Sequence, residues 1–437
     1  MTDKRLRADF TWVLSGNVLY SACQWGIVVV LAKLGSPAQL GEYALGLAVA
    51  APIILFANLQ LRALLASDVK GQFAFGQYLT FRLATLGAAL IAVAGLAVLT
   101  QRNGHLAGVI MLVGLAQALE SVSDTYYGLM QRHERMDRLS ASLMLKGPLS
   151  LAALWAAMYL TRSVVWAVVG LLLGRLFILL VWDSRLGFAK MQKDPPVTHL
   201  TWNAGEMQTL LRMALPLGVI SMLNSLDSSI PRYFVEAHRG SAELGLFSAI
   251  ASLLSAGTLV VAACGQSIFL PVARACAALD RAKFRSYVGL AVALGGALGV
   301  AGILVAALFG RPILTLLFRP EYGEQSGILV RLMIAGTLTF MASGLGFVVT
   351  AARSLRPQIP VLVVTALAGA GTSAWLIPRY GLSGAADAAI ASTFVQFVGT
   401  LAIALKIDRQ LGRDAQLGAA SAEGASLGLR SLKVETT

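Results

Sequence analysis

Long stretches without a charged side chain alternate along this sequence with short polar segments. Residues 10–32, 43–61, 83–101, 244–273, 286–310, 332–352, 357–378 and 388–405 contain no Asp, Glu, Lys or Arg. Four further apolar stretches, 106–131, 139–161, 163–182 and 212–235, carry one to three charges each. About 20 consecutive apolar residues suffice for a helix to cross the hydrocarbon core of a bilayer. An isolated segment in lipid must satisfy its own backbone hydrogen bonds, so each stretch is predicted as a helix. The pattern therefore predicts about twelve transmembrane helices.

Composition excludes the soluble classes. Of 437 residues, 57% are hydrophobic and 13% are charged, against roughly 25% charged in a soluble domain. The formal net charge of +13 does not point to nucleic acid, because the basic residues lie between apolar runs and form no basic stripe with interleaved aromatics. Cys23, Cys264 and Cys276 are far apart, and His105, His133, His199 and His238 do not cluster. No metal site, disulfide framework or cofactor is predicted. The basic start at Lys4, Arg5 and Arg7 precedes an apolar stretch too long for a cleavable signal core.

Placing both termini in the cytoplasm puts 21 lysines and arginines in inner segments and 9 in outer ones. That is the bias the positive-inside rule expects of a multi-pass protein of the cell inner membrane. The longest connection contains Lys190, Lys193, Asp194, Pro195 and Pro196. It divides the chain into a six-helix lobe over 1–183, a cytoplasmic linker over 184–211, a second six-helix lobe over 212–408 and a Gly/Ala/Ser-rich flexible tail over 409–437. Leu40-Gly41-x-Tyr43-Ala44 and Leu244-Gly245-x-Phe247-Ser248 lie 204 residues apart. Each opens the second span of its half, and six spans separate them. The expected architecture is all-α: two lobes related by a parallel pseudo-two-fold repeat around a central cleft.

Several segments carry a family resemblance. They are ALPLGVISMLNSLDSSIPRYFVEAHRGSAELGLFSAIASL at 214–253, CGQSIFLPVAR at 264–274, LFRPEYGEQSGILVRLM at 317–333 and IPRYGLSGAADAAIAS at 377–392. Their order and spacing resemble Wzx-type polysaccharide export flippases of the multidrug/oligosaccharidyl-lipid/polysaccharide (MOP) exporter superfamily, over residues 8–408. The resemblance implies a polyprenyl-diphosphate-linked oligosaccharide turned over from the inner to the outer leaflet for cell-surface polysaccharide assembly. The implied partners are that lipid-linked substrate, membrane lipid, and polysaccharide polymerase and chain-length machinery. In one respect the chain departs from its relatives. The related lipid II flippases use arginines in the first span, whereas residues 10–32 here contain none and have Asn17, Ser21 and Gln24 among their polar residues.

Ionisable residues inside a membrane are costly, so they persist where they pair or face a wet cavity. Arg62, Arg175, Lys146 and Arg232 are the candidate substrate-binding cations, since guanidinium grips phosphate oxygens with a two-pronged fork. Alternative readings stand beside them. Lys146 can serve as an interface anchor, Arg232 can pair with Asp227, and Arg82 and Arg212 can snorkel to the inner surface. Glu120 and Asp124 share a helix face. They are read either as ion-coupling carboxylates or as structural partners of Lys146 or Arg175, and Asp227 is a third coupling candidate. The aromatics Trp12, Tyr126, Tyr127, Trp155, Trp166 and Trp182 are expected in the interfacial belt. The alternative function is a multidrug or cation exporter of the same fold. An enzyme is not expected, because no Asp-x-Asp occurs and no outer loop is long enough for a catalytic domain.

Overall fold

The computed structural model describes residues 3–68, 71–100, 104–185, 200–354 and 356–434, with side chains over the described parts of 11–414 and at 416. The architecture is all-helical, with no strand among the described residues. In chain order the first half contains α1 (Asp3–Leu34), α2 (Pro37–Asn58), the short α3 (Leu61–Ser67), α4 (Phe75–Thr100), α5 (Gly104–Arg132), α6 (Met136–Thr161) and α7 (Val164–Ile178). A π turn over Leu179–Asp183 ends it. The second half contains α8 (Ala204–Ser252), α9 (Leu254–Ala277), α10 (Arg281–Leu317), α11 (Pro320–Gly323), α12 (Ser326–Ala351), α13 (Gln358–Tyr380) and α14 (Leu382–Val434). The tail expected after residue 409 thus continues α14 as far as Val434. Residues 186–199 of the expected linker, including Lys190, Lys193, Asp194, Pro195 and Pro196, lie outside the described residues.

Among the described residues, eleven helical segments are long and apolar enough to cross a membrane. One of them, Ala204–Ala277, has 74 residues, more than twice what one crossing needs. Gly240 breaks it with φ 81° and ψ 176°, a conformation that glycine alone adopts freely. The stretches 204–239 and 241–277 on either side of this break are each long enough for one crossing, and counting the segment as two brings eleven to the expected twelve.

The repeat is a contact as well as a pattern. A Cβ on Gly41 would stand 1.8 Å from the carbonyl oxygen of Ser241, and one on Gly245 would stand 1.9 Å from that of Pro37. Pro37 and Ser241, like Gly41 and Gly245, are 204 residues apart. The two halves therefore cross backbone to backbone at equivalent positions, about the expected pseudo-two-fold axis. Small residues are what allow helices in lipid to approach so closely. Ser36 caps α2 here through a reciprocal capping box with Gln39.

The cores show where the lobes join. At the end of the molecule holding this crossing, one continuous core contains Leu31, Leu40 and Val113 from the first half and Phe247, Phe318 and Leu329 from the second. Arg319 donates to the carbonyl of Lys33 at 2.8 Å, and the Tyr233 hydroxyl donates to the carbonyl of Ala48. Toward the opposite, basic end the core divides. Phe81, Met130 and Leu139 belong to one part, joined by Met207 and Leu210 from the start of α8. Val272, Phe284 and Val348 belong to the other. The lobes are clasped at one end and separated by a cleft at the other.

Candidate functional site: a charged wall and a neutral wall of one cleft

The break between α2 and α3 brings the first cation to the cleft. Leu59 and Gln60 have φ of 48° and 50°, so the chain turns sharply and α3 folds across α5. Arg62 consequently lies in α3, near the end of the second apolar segment Pro37–Ser67. Its guanidinium reaches Asp124 at 3.1 Å and Gln131 at 3.1 Å and stands over the Tyr127 ring at 5.6 Å. Its side chain is 31% exposed. Arg62, Asn17, Asn58, Gln117, Glu120 and Asp124 line a cavity of about 630 Å³, to which Gln266 of α9 contributes from the other lobe.

Lys146 and Arg175 stand behind this wall rather than on it. Lys146 is fully buried and bonds the Tyr127 hydroxyl at 2.5 Å. It lies 3.7 Å from Glu120 and 3.4 Å from the equally buried Asp183. Ser142 joins Tyr127 to Asp183 through two hydrogen bonds. Arg175 is 3.7 Å from Glu120, donates to the Ala116 carbonyl at 2.9 Å, and reaches Gln24 of α1. Glu120 thus meets two cations, matching the structural alternative given for it, while Asp124 pairs with Arg62. These contacts tie α1, α5, α6 and α7 together, with Glu120 Oε2, Arg175 Nε and Asp183 Oδ2 held by opposite charge at 3.4–3.7 Å rather than by hydrogen bonds.

Three expectations are corrected. Arg82 does not snorkel: it is 0% exposed and donates to Asn58 at 2.6 and 2.8 Å and to Thr125 at 2.9 Å. Tyr126 and Tyr127 are not interfacial but buried, with Tyr127 central to the cluster, whereas Trp12, Trp155 and Trp166 are exposed as a belt requires. Asp227 and Arg232 form no ion pair. They are five residues apart on α8, about 140° around the helix. The backbone between them, Pro231 included, keeps helical dihedrals. Asp227 faces Gly369 and Ser392, with no cation paired to it among the described residues. Arg212 is exposed, and Arg331 pairs with Asp387 at 2.7 Å.

Sequence reasoning missed Asp183 and Tyr127. Asp183 follows the charge-free stretch after Arg175 and reads as a span boundary, yet the π turn carries it inward. The second lobe lines its side of the cleft differently. A cavity of about 480 Å³ there carries amides, hydroxyls and two phenylalanines, and it shares Gln60 with the charged cavity. A third opening, of about 870 Å³, lies between α1 and the start of α9. Val18, Trp25, Val28, Leu253 and Leu259 give it an apolar lining.

The chain is similar to known proteins along most of its length. Residues 6–274 match the family model described as polysaccharide biosynthesis protein. The capsular polysaccharide biosynthesis protein CapF of Staphylococcus aureus is 28% identical over 393 residues, which cover 89% of this chain and 97% of that protein. Among solved structures, an inward-facing MATE-family multidrug transporter of the MOP superfamily aligns with a TM-score of 0.73 at 15% identity, covering 90% of this chain and 96% of that one. The lipid II flippase MurJ, in an inward closed conformation, aligns with a TM-score of 0.69 at 10% identity, covering 91% and 89%. The last two likenesses establish the fold. With a family match over more than half its length, the chain belongs to the polysaccharide biosynthesis protein family, as a multi-pass membrane protein built on the MOP transporter fold.

Proposed function

We propose that this protein flips a polyprenyl-diphosphate-linked oligosaccharide from the cytoplasmic to the outer leaflet of the cell membrane, with its basic end in the cytoplasm. The observation that carries this reading is Arg62. It is the one cation of the first-lobe cluster that combines partial exposure with a place on the cleft wall. A diphosphate leaving the head-group layer loses hydration, and an accessible guanidinium offsets part of that cost with two parallel hydrogen bonds. Asp124 accepts from Nη1 and Gln131 from Nε; together they hold the guanidinium until substrate arrives and are then displaced by phosphate oxygens. The apolar opening between α1 and α9 gives the polyprenyl tail a route that keeps it in lipid while the head group crosses.

The Arg62→Ala protein is expected to insert normally and to lose about tenfold or more of its transport rate in proteoliposomes loaded with fluorescent lipid-linked sugar. Arg62→Lys should recover part of it, keeping the charge but not the fork. Normal transport by Arg62→Ala would remove the reading's central residue. A cation exporter of the same fold would need an acidic cleft, but Glu120 and Asp124 are both committed to cations. Uptake of a cationic dye without flipping of the lipid would reverse that judgement. Asp227, with no cation beside it, is the carboxylate left to couple an ion. Asp227→Asn should leave transport unresponsive to proton and sodium gradients that drive the parent protein, and an unaltered response would exclude it.

A further inference from the structure

The neutral cavity of the second lobe has a lining that suits neither the diphosphate nor the lipid tail. None of its residues is charged, so a phosphate would give up water there without meeting a cation. An alkyl chain would strip water from Asn224, Gln396, Gln358 and Ser343 and satisfy none of them. Asn224 on α8 and Gln396 on α14 are joined by a 3.3 Å hydrogen bond, which presents two amides side by side. Gln358 spends its amide hydrogens on Thr350 and Ser354, while its amide oxygen accepts nothing from the described residues. Phe269 is 40% exposed and is one of the residues that line the cavity. The Phe347 ring lies 2.2 Å from where a Cβ on Gly265 would be, so the glycine lets that ring seat against α9.

We propose that this cavity is the subsite for an uncharged sugar ring of the transported oligosaccharide. A pyranose offers hydroxyls to amides on its rim and C–H groups to aromatic faces, and so matches both kinds of lining. A volume of about 480 Å³ falls within the roughly 300–1,000 Å³ of small-molecule sites. The cavity shares Gln60 with the charged cavity across the cleft, so one substrate reaches both. The assignment rests on the flippase reading.

The test measures binding of two probes to the purified full-length protein: bare undecaprenyl diphosphate, and the same lipid carrying one neutral N-acetylhexosamine. The parent protein should bind the sugar-bearing probe about tenfold more tightly. Gln396→Leu and Phe269→Leu should each weaken that probe about five- to tenfold, the size expected for one or two lost polar or stacking contacts. Both should leave the bare lipid unaffected, a readout that also certifies the fold. Arg62→Ala should weaken both probes. Equal affinity of the parent protein for the two probes overturns the subsite. So does an equal loss on both probes, or no loss on either, in the two cavity variants. If the parent protein binds neither probe, the flippase reading itself fails and the subsite goes with it.

Discussion

Alanine at Gly41 or Gly245 is expected to open the clasped end of the molecule and to stop transport. The new methyl groups would stand 1.8 and 1.9 Å from backbone carbonyl oxygens. The obstacle is backbone in a packed helix, so no side-chain rotation relieves it, and the two crossing helices have to move apart. Overpacking of this kind costs about 1–3 kcal/mol. The cost falls on the conformation in which the lobes touch at this end and not on one in which they part. Because about 1.4 kcal/mol is a factor of ten in population, one methyl group is enough to displace the equilibrium. A single cysteine at Leu244, fully buried in the shared core, reports the change when Cys23, Cys264 and Cys276 are replaced. In the Gly41→Ala background its labelling by a membrane-impermeant maleimide from outside should rise tenfold or more. Insertion should stay normal while transport falls. Unchanged labelling together with normal transport would show that the close approach is not what holds this end shut. The two glycines occupy neighbouring contacts, so the effect of changing both should fall short of the sum of the single changes.

The same crossing marks what the sequence makes legible. The helices are readable because lipid leaves a backbone few alternatives, and twelve apolar stretches survive even where charges interrupt four of them. The repeat is readable because Leu40-Gly41 and Leu244-Gly245 share an offset and a topological place. That the glycines touch the opposite half is not readable, since a helix-opening glycine has the same sequence whether it meets lipid or another backbone. The charged cluster is legible by half. The four-residue spacing of Glu120 and Asp124 puts them on one face, but their separate partners depend on the turn at Leu59 and Gln60. Neither residue is a glycine, and nothing in their chemistry announces φ near 50°. Arg82 misleads for a related reason. Its place near the start of α4 suits a snorkelling side chain, and only the rotation of that helix decides that it turns inward to Asn58 and Thr125.

The cluster also separates two roles that the sequence alone assigns together. Arg62, Lys146 and Arg175 are all cations within or beside spans, but only Arg62 faces the cleft. Lys146 has no exposed surface, and neither does Asp183. Replacing Lys146 with methionine keeps the bulk and removes the charge, leaving Asp183 and Glu120 short of a cation in a region with little water. Breaking a buried pair in this way costs about 3–5 kcal/mol, a large share of the roughly 5–15 kcal/mol that holds a folded domain together. The expected outcome is a steep fall in inserted, monodisperse protein and a lowered unfolding temperature in detergent, with near-normal transport for each molecule that does fold. Adding Asp183→Asn should recover part of the lost stability, because the second change neutralises the carboxylate that the first left unpaired. Arg175→Ala should resemble Lys146→Met, since Arg175 ties Glu120 to Gln24 and the Ala116 carbonyl, whereas Arg62→Ala should spare folding and lower transport. A Lys146→Met protein with normal abundance and normal thermal stability but little transport per molecule would move Lys146 from the scaffold of the first lobe to the substrate path.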